Sequence, residues 1–231
     1  MSQLGFQYRV IRSPRRRTAA IKISEEGIVV RVPVGVSDAW IEHWLQSRAA
    51  WVRKHDAELR QNLQQFCLKV EQGEAISLLG KPLQLRWFSG PRTAVTQGPD
   101  TLQICLSQRS SKPEEERVRT CLKTWYKEQA EDYLPERLKY WERVTGLFCN
   151  DLKIKDFKRR WGSCSSRGEV SLNWRLMCVD AALVDHVIIH ELAHLQHLDH
   201  SPRFWKLVEK HCPDWRCKKE ALQKRIGWVL W

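Results

Sequence analysis

Six of the eight histidines in this 231-residue chain fall between positions 186 and 211, and His190-Glu191-Leu192-Ala193-His194 forms an H-E-x-x-H. On a helix, residues four apart share a face, so His190 and His194 can hold one Zn²⁺ through their imidazoles. Glu191 stands beside them, where it can polarise a metal-bound water. The surrounding VDHVIIHELAHLQHL is apolar on its opposite face, the pattern of a half-buried helix. A catalytic zinc needs a third protein ligand and an open position. His186 and His197 share the helix, but at ~1.5 Å rise per residue they lie roughly 7–9 Å along its axis from a metal between 190 and 194. Packing or surface polarity is their expected role. His200 precedes Ser201-Pro202, a turn and cap that can fold the chain back, and is expected as the third ligand.

Zinc held by three imidazoles acidifies water and polarises a carbonyl, which makes peptide-bond hydrolysis the leading expectation. Glu191 is then the general base that takes the water's proton and passes it to the leaving amine. Extended peptide substrates pair with edge strands, and EVSLNWRL at 169–176 is the candidate strand. Its Asn173 and Arg175 can face the cleft as substrate contacts, or they can be ordinary solvent-side residues. In Trp161-Gly162-Ser163-Cys164, Gly162 suits a tight turn and Cys164 suits packing better than reactivity.

These residues need elements to position them. QYRVIRS, TAAIKIS and IVVRVPV read as strands, and Ser37 caps a helix to about residue 65 with Trp40, Trp44, Leu45, Ala49, Val52 and Leu59 on its apolar stripe. ISLLGKPLQLRW and DTLQICLS read as further strands. Pro113 and Glu114, Glu115 and Glu116 open a long helix that ends near Gly146. DLKIKDFKRR and EVSLNWRLM read as strands flanking a polar loop, WGSCSSRG, and from Asp180 the pattern is helical with a break at His200-Ser201-Pro202.

Composition sets the outer limits. Lys and Arg number 39 against 27 Asp and Glu, giving +12, which admits an anionic substrate or nucleic acid as partner. No RNP box or paired zinc finger accompanies the charge. Eight cysteines form no CxxC pair, and the start shows no signal-peptide pattern, so reduced thiols and a cytoplasmic location are expected. No apolar run is long enough for a membrane span, so no membrane partner is expected. Trp40, Trp44, Trp51, Trp125, Trp205 and Trp228 sit in helical apolar patterns and are expected in cores rather than as base-stacking platforms.

RRWGSCSSRGEVSLNWRL at 159–176, HVIIHELAHL at 186–195 and HSPRFW at 200–205 together resemble the YgjP-like, SprT-related metallopeptidases; RRRTAAIKI and LLGKPL at 78–83 fit as well. The resemblance maps that family's H-E-x-x-H and third histidine onto His190, Glu191, His194 and His200. It implies a gluzincin-like catalytic domain with a sheet packed on the active-site helix, zinc as cofactor, and a peptide or protein substrate. The expected fold is therefore α+β: a β-rich region with one long helix over 1–110, then a zincin-like half over 111–231. Two other functions share the same residues. One is a phosphoanhydride hydrolase with Arg159, Arg160 and Arg175 clamping a nucleotide's phosphates. The other is a DNA-associated protease or binding module with zinc.

Overall fold

A computed structural model describes residues 4–24, 26–66 and 70–225. The chain forms two compact units, Met1–Cys67 and Leu68–Trp231.

In the first unit, β2 (Ala20–Ser24) and β3 (Gly27–Pro33) form an antiparallel hairpin, and β1 (Tyr8–Ser13) lies parallel along the other side of β3. Ser37 caps α1 (Asp38–Phe66) as its sequence predicts, its hydroxyl accepting the Trp40 N–H at 3.3 Å. Ile41, Leu45 and Ala49 of α1 close over Val30 and Val32 of the sheet. Leu45, Ala49 and Val52 are buried as expected, but Trp40 and Trp51 are not part of that stripe. Trp40 and Trp51 are 46% and 45% exposed, because the buried row runs 41, 45, 49 and 52, one residue further round the helix. Trp40 instead stacks on Trp44 with ring centroids 5.5 Å apart.

The second unit holds two small sheets and four helices. β4 (Ala75–Leu78), β5 (Lys81–Gly90), β6 (Ala94–Gln97) and β7 (Thr101–Ser107) form a sheet in the order β4-β5-β7-β6. Its central pair, β5 and β7, is parallel. α2 (Glu114–Thr145) follows, acidic in its first turn and closed by Gly146 in the left-handed conformation at φ 72°. The next sheet contains β8 (Asp151–Lys155), β9 (Gly162–Cys164) and β10 (Glu169–Asn173), then a 3₁₀ turn over Trp174–Cys178. α3 (Ala181–Ala193), α4 (Pro202–His211) and α5 (Trp215–Lys224) complete it. No helix among the described residues is long and apolar enough to cross a membrane.

Leu85 and Ile104 of the first of these sheets, Leu122 and Tyr126 of α2, Leu172 of β10 and Ile188 of α3 belong to one apolar cluster. This continuity explains why compactness divides the chain at 67/68, whereas the change of sequence texture lies near 110. A strand-rich segment that shares a core with the helices following it folds as part of their unit.

The third sheet departs from expectation in its order, β8-β10-β9. β10 is the central strand, parallel to β8 and antiparallel to β9, so EVSLNWRL has no free edge for a substrate. The segment expected as a polar loop supplies the edge instead. Gly162, Ser163 and Cys164 pair with Leu172, Ser171 and Val170.

Candidate metal centre

α3 is packed on nearly every side, with Val184, Ile188 and Leu192 fully buried. Its last turn presents His190, and the helix closes at His194. The chain then turns within six residues: the Ser201 N–H donates to the Asp199 carboxylate, and Pro202 starts α4 with its φ already helical. The turn brings His200 back over α3, with its Nε2 3.2 Å from Nε2 of His190. One ligand atom from each of His190, His194 and His200 lies within 4.8 Å of the others. The three residues expected as ligands are thus brought together. His186 stays out of the group, as the helical rise requires; His197, expected on the same helix, lies beyond the end of α3 and also stays out.

Neighbouring groups hold these rings in place. The His194 Nδ1 faces the His197 carbonyl at 2.9 Å. A carbonyl only accepts, so Nδ1 carries the proton and Nε2 keeps its lone pair for a metal. Phe204, fully buried in the first turn of α4, lies 4.9, 4.5 and 4.9 Å from the rings of His190, His194 and His200. Trp205 stacks on the His200 ring at 5.6 Å. Phe204 had no expected role from sequence and Trp205 was expected only as core packing, although both fall in HSPRFW; spacing from Pro202 was the available signal. Burial, reinforced by the neighbouring histidines, pushes the His190 imidazole down to about 3. Burial also lowers His194. Both are neutral near pH 7, the form in which imidazole binds a metal. No carboxylate belongs to the cluster. Converging imidazole nitrogens with a fixed tautomer and an aromatic floor fit a zinc ion well.

Glu191 is buried, 6% exposed, and burial drives its carboxyl up to about 8 against the opposing pull of Arg160. It faces Gly162 of β9. A Cβ built there would stand 2.7 Å from Oε1 and 2.8 Å from Cγ of Glu191. Gly162 therefore does not serve a turn, because it lies in a strand; it leaves room for the carboxylate. Nearby, the Cys164 thiol is pushed up by burial and by Glu191, which disfavours a nucleophilic thiolate.

Asn173 and Arg175 lie elsewhere. They are 0% and 4% exposed, so they are not solvent-side residues, and neither lines the cleft beside the histidines. Asn173 Nδ2 donates to the carbonyls of Phe157 at 3.0 Å and Arg160 at 2.9 Å, and its Oδ1 accepts the Arg175 N–H. Arg175 pairs with Asp156 and stacks over Trp174. Burial alone would raise Asp156, but Lys123 and Arg175 outweigh it and hold that carboxyl at about 2. The two side chains expected to touch substrate instead tie down the loop from 156 to 161. That loop delivers Arg159, Arg160 and Trp161 to a cleft of about 620 Å³, which also meets His190, Glu191 and His200.

With this geometry in view, similarity to known proteins becomes informative. A family model described as YgjP-like, metallopeptidase domain, matches residues 17–225. The chain belongs to the YgjP-like metallopeptidase family. None of the curated proteins matches it. Among solved structures, the metallopeptidase zymogen abylysin of Pyrococcus abyssi is similar over 39% of this chain and 92% of its own, at 23% identity and a TM-score of 0.37. That degree of likeness carries no argument. Membership of the YgjP-like family makes the chain a hydrolase of peptide bonds, and a metallopeptidase needs a catalytic metal.

The fit of Glu191 against β9 can be tested in this YgjP-like chain. Gly162→Ala places a methyl group 2.7–2.9 Å from the Glu191 carboxylate and Cγ, closer than such atoms pack, and the packed helix behind leaves little room to yield. A misplacement of about 1 Å costs on the order of 100-fold in rate. Peptidase activity is expected to fall by about that factor while metal content stays unchanged. Full activity in the alanine variant would show that the close approach is unimportant.

Proposed function

We propose that the chain is a zinc-dependent peptidase in which His190, His194 and His200 hold the metal and Glu191 is the general base. The observation that carries this is the placement of a buried Glu191 beside three converging imidazoles, one of them with its tautomer fixed. A purely structural zinc site would have no use for such a carboxylate. Zinc bound there supplies a Lewis acid that acidifies water and polarises a carbonyl. The charge of a bound cation would oppose the effect of burial and favour the ionised Glu191, which takes the proton of the attacking water on a carboxylate oxygen and delivers it to the nitrogen of the departing amine. Gly162 keeps that oxygen from being displaced. β9 offers its unpaired edge to an extended substrate, which would add a strand beside Gly162, Ser163 and Cys164. Asn173 and Arg175 position the loop leading into that edge.

The competing reading, hydrolysis of a nucleotide phosphoanhydride, draws on Arg159 and Arg160 in the cleft. Arg175, its third expected clamp, is occupied with Asp156 and Trp174. Metal removal tests the proposal. A chelator is expected to abolish hydrolysis of an unfolded protein, and equimolar Zn²⁺ is expected to restore it. Hydrolysis that survives metal depletion, or a nucleoside triphosphate cleaved in place of the protein, would refute it.

A further inference from the structure

Arg159, Arg160 and Lys219 all line the cleft beside the histidines, and the acid among its lining residues is Glu191 itself. Among the described residues none of the three cations has a carboxylate partner. Nearby, Lys123, Arg175 and Lys218 are each paired with an aspartate. Other groups hold Arg160 and Lys219 in place. The Arg160 guanidinium lies 5.4 Å from the Phe157 ring, and its backbone carbonyl is clamped by the buried Asn173. The Lys219 ammonium sits 4.8 Å from the ring of Trp205, the same tryptophan that stacks on His200.

Positive groups gathered without a carboxylate within ion-pair distance, on the rim of a largely apolar cleft, make it a favourable place for an anion. Arg159 and Arg160 immediately precede β9, whose free edge would carry the substrate backbone, so they stand where side chains of an added strand would project. A carboxylate meets a guanidinium there in a bidentate, charge-assisted pair. We infer that this cleft selects peptides carrying a carboxylate next to the scissile bond, recognised by Arg159, Arg160 and Lys219. The inference rests on the peptidase reading and narrows its substrate class. The carboxylate has two possible sources, an Asp or Glu side chain and a free C-terminus.

The test uses the full zinc-loaded chain and fluorogenic peptides that differ only in Glu or Gln beside the scissile bond, each with a free or amidated C-terminus. Wild type is expected to favour the carboxylate-bearing member by about tenfold in kcat/KM. The pair in which the preference appears identifies its source. In Arg160→Gln, and more so in a double variant with Arg159→Gln, that ratio is expected to fall towards one. Arg160→Lys should recover part of it, which a merely structural role would not explain. Binding of the same peptides to zinc-loaded Glu191→Gln, followed by anisotropy, reads the preference without turnover. Peptide cleavage with no preference would overturn the inference and leave the peptidase reading intact. Preferential binding without cleavage by wild type would do the reverse. Gln variants that weaken nucleoside triphosphate hydrolysis or single-stranded DNA binding, with the peptide ratio unmoved, would overturn the inference in favour of a phosphate ligand.

Discussion

Glu191→Gln is expected to lower the turnover of an unfolded protein substrate by between about 10²- and 10⁴-fold while bound zinc stays at wild-type stoichiometry. The glutamine amide has the carboxylate's shape, so it fits the space left by Gly162 and keeps the packing of α3. What it lacks is the capacity to accept a proton and return it. A fold defect is not the expected cause of the loss, because burial already disfavours the charge at this position. Metal analysis alongside initial rates separates the two explanations. Turnover within a few-fold of wild type, with zinc bound, would remove Glu191 from the chemistry and the general-base mechanism with it.

The second large effect concerns the metal. His200→Ala is expected to weaken zinc binding by more than about 100-fold, the upper range for losing even an outer-shell partner. His197→Ala is expected to bind zinc much as wild type does, because the group that faces His194 is the backbone carbonyl of His197 and not its ring. The contrast is informative, as both histidines follow H-E-x-x-H by only a few residues. Competition titration against a chromophoric chelator measures both constants. Equal affinities in the two variants would dismiss His200 as a ligand.

The histidine cluster was legible because its first two members lie one helical turn apart, where spacing alone dictates geometry. His200 followed from the helical rise, which excludes His186, and from Pro202, which forces a new start; the rise does not apply to His197, which lies beyond the end of α3. The strands around it were harder. EVSLNWRL alternates like a strand with one wet face, yet β10 is central and covered, so Asn173 and Arg175 turn inward to hold a loop. Strand order depends on partners distant in sequence, and no local pattern encodes it. The same is true of Gly162, whose purpose becomes visible when β9 meets α3, and of Phe204, whose contacts come from two helices and a turn. Tryptophan misled for a related reason. Its size suggested the core at positions 40 and 51, but the core row holds Ile41 with the expected Leu45, Ala49 and Val52. Trp125 is buried as expected, Trp205 is half-buried beside His200, and Trp228 lies outside the described residues.

The turn from His194 to Pro202 carries a thermodynamic consequence. If His190, His194 and His200 hold the metal as proposed, its binding closes a very short loop, for which the unbound chain forfeits little configurational entropy. Ile189 and Ala193 of α3 already pack against Phe204 and Val208 of α4, so the bend has an adhesive of its own. Metal loading should then act as a local rivet between two helices and not as the nucleus of the fold. Its protection against hydrogen exchange would be concentrated on the bend and the start of α4, while the sheets of the same unit exchange at nearly unchanged rates.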